Sequence, residues 1–163
     1  MTAVSRPLAP HARWAGALLA LLFLVGCPAS LERAPEEVPE AWVRIATSEV
    51  AVEIADTPAK QQRGLGYRDE LPWDHGMYFP YRQAVIPRYW MKGMRFSIDI
   101  VWIRAGRIVD LHHAVPFEPG SNGPTVQPRE AVDAVLEVPA GYARASGWRI
   151  GDRVAFEPTA APD

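Results

Sequence analysis

Between Trp42 and Phe156 the apolar residues come in short bursts, rich in β-branched and aromatic side chains and separated by turn-forming residues. A chain patterned in this way folds into short strands. Trp42 to Thr47 and Val50 to Ala55 read as two strands, the second with Val52 and Ile54 on one side and Glu53 on the other. Thr57-Pro58 reads as a helix cap with proline at the first helical position, and the helix should stop near Gly64 or Gly66. Met77 to Tyr81 and Arg88 to Met91 are further strands. Ile98 to Arg104 and Arg107 to Val115 form a hairpin turning at Ala105-Gly106. A loop from Pro116 to Pro128 precedes a strand at Ala134 to Val138 and a short helical piece near Gly141 to Ser146. Gly151-Asp152 makes the last turn before a strand at Arg153 to Phe156. The expected fold is mainly β: a small single-domain sandwich or flattened barrel with one or two short helices.

The N-terminus has a different character. Arg6 and Arg13 stand without an acid before an apolar run, Trp14 to Val25, that ends at Gly26-Cys27. At about 1.5 Å per residue such a run falls short of a hydrocarbon layer of about 30 Å, so it suits a secretory signal better than a permanent span. Leu24-Val25-Gly26-Cys27 resembles the bacterial lipobox, with the only cysteine of the chain at the acceptor position. That resemblance implies a lipid on Cys27, cleavage before it, and attachment to a membrane. Several acyl chains anchor stably where one binds reversibly. Pro28 stands where an aspartate commonly signals inner-membrane retention, so the outer membrane, facing the periplasm, is the expected destination in a cell that has one. The expected organisation is a signal peptide over 1–26, an anchor and proline- and glutamate-rich tether over 27–40, a globular domain over 41–158 and a tail over 159–163.

Loss of Arg6 and Arg13 with the signal takes the formal net charge from −2 to −4. An acidic domain lacks the basic face that nucleic acid requires, so no nucleic-acid partner is expected. A lone cysteine forms no internal disulfide, and Cys27 reads as an anchor rather than a nucleophile. No G-x-S-x-G elbow occurs, and no catalytic residue is assigned. His112 and His113 are adjacent on a strand and point to opposite faces; Asp110 and His112 alone share a side, too few ligands for zinc. Neither a metal nor another cofactor is expected.

Polar residues inside the apolar strands are the informative ones. Alternation puts Asp99 beside Val101 and Ile103, with Ile98, Ile100 and Trp102 on the other face, so Asp99 is shielded whichever way the strand packs. A buried carboxylate costs several kcal/mol unless partnered, and Lys92, Arg63 and Arg68 are the candidate partners. Two readings follow: an ion pair closing one end of the sheet, or a polar pocket of Arg63, Arg68, Lys92 and Asp99 beside Trp90. The pocket would suit a small anionic or sugar-like ligand. Glu137, inside Val135-Leu136-Glu137-Val138, invites the same ion-pair reading. With Asp99 it could also supply the two acids of a glycoside hydrolase. Trp73, Trp90 and Trp148 could stack on a sugar, although core packing accounts for aromatic residues of this kind.

Four ordered segments, Arg63 to Phe79, Tyr89 to Ile103, Gly106 to His113 and Ala134 to Val154, resemble domain-of-unknown-function family 192 across essentially the whole globular domain. The resemblance implies a β-rich exported domain, sometimes lipid-anchored, and no established activity. Matching positions are Arg63, Gly64, Leu65, Arg68, Gly76, Met77, Trp90, Met91, Lys92, Asp99, Glu137, Gly141, Gly151 and Asp152. The chain departs from the pattern at Gly66 and Gly93, where Met and Asn are expected, and at Ser97, where proline is common. The expected function is a non-catalytic, lipid-anchored binding or structural module of the cell envelope. A small hydrolase using acidic residues and an accessory subunit docking on another envelope protein are the alternatives.

Overall fold

Residues 39–160 are described by the computed structural model. The apolar N-terminal run, Cys27 and most of the expected tether lie outside the described residues, as do residues 161–163. In chain order come β1 (Ala41–Ile45), β2 (Ser48–Ile54), α1 (Pro58–Arg63), β3 (His75–Val85), β4 (Tyr89–Trp90), β5 (Ile98–Arg104), β6 (Arg107–Val115), β7 (Thr125–Val126), β8 (Val132–Pro139), α2 (Tyr142–Ala145) and β9 (Val154–Pro158). Seven strands make one sheet in the order β6-β5-β8-β3-β2-β1-β9, and β4 pairs with β7 in a small separate ribbon. The large sheet curls into a half-barrel, and its two edges touch where Arg107 bridges Arg153. The mainly-β, single-domain expectation therefore holds, in its barrel-like form.

The local signals act as read. Thr57 caps α1 by accepting from the Lys60 amide at 3.2 Å, Pro58 follows it, and Gly64 closes the helix with a positive φ of 51°. The β5–β6 turn falls at Ala105-Gly106, both with positive φ. Two elements go beyond the sequence pattern: β3 runs on to Val85, and β7 forms inside the expected 116–128 loop.

Strand alternation gives the sheet two apolar faces. One cluster gathers Val43, Val50, Val52, Val101, Ile103, Leu136 and Val138 with Tyr142 and Ala143 of α2 and Trp148 beyond it. The other gathers Met77, Phe79, Ile98, Ile100, Trp102 and Val135 with Leu65, Met91 and Met94 from the connections. β5 is buried on both faces up to Ile103, as expected of a strand paired on both sides, next to the edge strand β6, and covered on each face. β2 and β3 are parallel, pairing Ala51 with His75 through Ile54 with Tyr78. Parallel neighbours need a long crossover, and here it carries α1. The C-terminal end of α1 reaches the second apolar face, where Leu65 packs beside Phe79.

Candidate functional site

β8 lies between β5 and β3, and Glu137 sits opposite Ile100 on one side and Met77 on the other. Its side chain is thus on the second face, only 6% exposed, in the middle of the sheet. The end of α1 passes over it: a Cβ at Gly64 would stand 3.9 Å from Glu137 Oε2 and 3.7 Å from the Phe79 ring. Tyr81, two residues beyond Phe79 on β3, meets Tyr89 of β4 hydroxyl to hydroxyl at 2.9 Å. Tyr89 is wedged edge-on against Phe79 and Trp102, with centroids 5.3 Å apart in both pairs. These groups enclose a pocket of about 290 Å³ with Glu137 in its wall.

The exposed cations Arg63, Arg88 and Lys92 stand at the rim with Gln61, Gln62 and Trp90, which is 51% exposed. Burial pushes the Glu137 carboxyl up to about 8, and neither a charge nor a hydrogen bond offsets it. At neutral pH Glu137 is therefore mostly a carboxylic acid, able to donate one hydrogen bond and accept another. Burial also raises the Tyr81 and Tyr89 hydroxyls, with Glu137 nearby adding to the shift in both. The pocket combines a neutral polar floor, one exposed aromatic face and a cationic rim.

The expected polar cluster divides. Arg63, Trp90, Lys92 and Glu137 share this pocket. Arg68 does not: its guanidinium is held by both carboxylate oxygens of Glu53, at 2.7 Å from Nη2 to Oε2, in a neighbouring depression. Asp99 does not either, and its partners correct the expectation of Lys92, Arg63 or Arg68. Asp99 is fully buried on the first face and accepts from three backbone amides: Ala114 at 2.7 Å, Gly141 at 3.0 Å and Ala143 at 2.9 Å. His113 Nδ1 stands 3.9 Å away. Opposite Asp99, β6 carries two residues, His113 and Ala114, between the pairs Ile98–Val115 and Ile100–His112, and Ala114 has a φ of 49°. One carboxylate thus ties a bulge in β6 to the start of α2.

Because Asp99 and Glu137 face opposite sides of the sheet, they are not a pair of acids across one cleft. Glu137 also does not find the arginine partner expected for it. Asp110 is engaged by Arg129, through its amide at 3.2 Å and its guanidinium at 3.7 Å. His112 accepts from Trp102 Nε1 at 2.7 Å. Among the described residues no three His, Cys, Asp or Glu side chains come together as a metal site. Trp148 is core, whereas Trp73 is 55% exposed and packs against Tyr142. The pocket residues that the sequence reading missed are Tyr81, Arg88, Tyr89 and the two glutamines. The period of two from Met77 through Phe79 to Tyr81 was the available signal for one of them.

The model of the DUF192 family, described as an uncharacterized ACR, matches residues 41–156. The fold is similar to the crystal structure of a candidate transcription regulator from Sinorhizobium meliloti 1021, at 32% identity and a TM-score of 0.65, covering 71% of this chain and 92% of that one. It is similar also to a protein of unknown function from Novosphingobium aromaticivorans DSM 12444, at 26% identity and a TM-score of 0.65, covering 75% of this chain and 89% of that one. No curated protein matches the chain.

Proposed function

We propose that this chain, which belongs to the DUF192 family, is a lipid-anchored binding module of the cell envelope that takes a small anionic, sugar-like ligand into the Glu137 pocket. The observation that carries the reading is a buried, unpaired carboxyl beneath a rim of three cations. A polar group held away from bulk water gains from a hydrogen-bonding partner, and a ligand hydroxyl or carboxylate would supply one. Arg63, Arg88 and Lys92 favour a negative group on that ligand, and Trp90 favours a ring with an apolar face. The pocket lining holds one carboxyl, so the two acids of ordinary glycoside hydrolysis are not met there, which favours binding over cleavage. The acidic net charge disfavours nucleic acid as a partner of this chain.

Attachment through Cys27 rests on Leu24-Val25-Gly26-Cys27, and the outer membrane is the preferred site because Pro28 follows the cysteine. The ligand reading is tested by NMR titration of the full chain in detergent with galacturonate and, as the uncharged control, galactose. Galacturonate should move the Trp90 indole signal and the amides of residues 63–65 and 88–92, at concentrations about tenfold below galactose, as a charge-assisted hydrogen bond implies. Equal response to both sugars, or shifts confined to other surfaces, would contradict it.

A further inference from the structure

The pocket does not end at Trp90. A second depression, of about 630 Å³, continues past the same rim and is lined by Ala59, Gln62, Arg63, Tyr67, Trp90, Lys92, Asn122 and Thr125. Gln62, Arg63, Trp90 and Lys92 belong to both. We propose that the two depressions are adjoining subsites for a chain of sugar rings carrying carboxylate groups, with Trp90 and Tyr67 as successive stacking platforms. This rests on the reading of the Glu137 pocket and extends it from a single ring to a polymer.

Tyr67 carries the argument. It is 62% exposed, yet its backbone is held in the left-handed region at a φ of 67°, where a bulky residue is strained. Its amide donates to the Gly93 carbonyl at 2.7 Å. Its ring lies so close to Gly93, itself at a φ of 74°, that a Cβ there would stand 2.9 Å from Tyr67 Cζ. A side chain at Gly93 would have no room, because this ring takes its space. Strain that fixes an aromatic face in water adds nothing to the core, and such strain gathers at ligand clamps.

Trp90 is displayed comparably, on the two-residue β4 paired with β7, where it stands opposite Thr125. Along the second depression Arg63 and Lys92 are available for carboxylates, and Gln62 and Asn122 for hydroxyls. No carboxylate lines the second depression, so nothing there repels a polyanion.

Calorimetry on the full chain in detergent, with galacturonate, tetragalacturonate and neutral maltotetraose as probes, tests the proposal. Tetragalacturonate should bind at least about tenfold more tightly than galacturonate, because the second ring is delivered at high effective concentration; maltotetraose should bind more weakly than either. Tyr67→Ser should bring the tetramer back to the affinity of the monomer and leave the monomer unchanged, while Tyr67→Phe should retain the gain. Equal affinity of monomer and tetramer in the parent overturns the second subsite alone, as does a Tyr67→Ser variant that keeps the gain. Failure of both uronates to bind overturns the Glu137-pocket reading and this extension with it.

Discussion

Asp99 and Glu137 lie on neighbouring strands and are both buried, yet the fold treats them oppositely. Asp99 is satisfied by three amides. Removing its carboxylate in Asp99→Ala leaves three amide donors without partners, that of Ala143 buried and those of Ala114 and Gly141 only partly so; a fully buried donor costs about 1–3 kcal/mol and a partly buried one less. Equilibrium denaturation should show a loss of about 3 kcal/mol or more. Asp99→Asn can keep the two bonds at Oδ1 and should lose less than half as much.

Glu137 has no such partners, and its acidity links it to stability with the opposite trend to an ion-paired carboxylate. Its pKa rises from 4.5 to about 8 on folding, so between those values the folded chain holds a proton that the unfolded chain has released. Stability from this group is complete below about pH 4.5 and is lost as pH rises through about 8. Glu137→Gln should therefore be the more stable protein at pH 9, on the order of 3 kcal/mol, with little difference at pH 4. Denaturant midpoints at the two pH values check this. That Asp99 is buried could be read from strand alternation. Its partners could not, because the amides of a bulge and a helix start have no signature in side-chain identity.

At the scale of elements, the capped α1 and the β5–β6 hairpin were legible because their signals are local: Thr57-Pro58, Gly64 and Ala105-Gly106. The parallel pairing of β2 with β3, and the insertion of β8 between β3 and β5, were not legible. Period-two patterning marks a strand and its faces but does not name its neighbours. The pocket depends on that pairing. Gly76 shows how closely the strands approach, since a Cβ there would lie 2.6 Å from the Glu137 carbonyl oxygen and 3.2 Å from Val138 Cγ1. Both belong to a central strand with no room to retreat. Gly76→Ala should cost about 1–3 kcal/mol, as overpacking typically does, and should shift the amide resonance of Glu137. A variant with unchanged stability and spectrum would mean that β3 and β8 are less tightly joined.

For the whole molecule, the class of fold followed from pattern alone, and the half-barrel agrees with it. Four of the six residues of the cluster read from the sequence come together, for a physical reason. Arg63, Trp90 and Lys92 sit in the connections that cover the second face, and they meet Glu137 there. Arg68 found a nearer carboxylate in Glu53, and Asp99 points to the other face. The cysteine at 27 bears on where this pocket works. Cys27→Ser should move the protein from the membrane to the soluble fraction or leave it unprocessed, as fractionation and mass measurement would reveal; normal processing with membrane retention would contradict an acyl anchor.

The central claim is that Glu137, held neutral by burial, is the floor of an anion-binding sugar site. The groups facing that floor are Arg63 from the end of α1, Tyr81 from β3, and Arg88, Tyr89 and Lys92 around β4. Ionisation of Glu137 near pH 8 places a negative charge beneath a bound carboxylate. The affinity for galacturonate, measured calorimetrically from pH 6 to pH 9.5, should therefore fall about tenfold across that point. In Glu137→Gln, whose neutral amide cannot ionise, the fall should disappear while affinity at pH 6 is kept within a few-fold. The same decline in both proteins, or affinity independent of pH in the parent, would contradict the account.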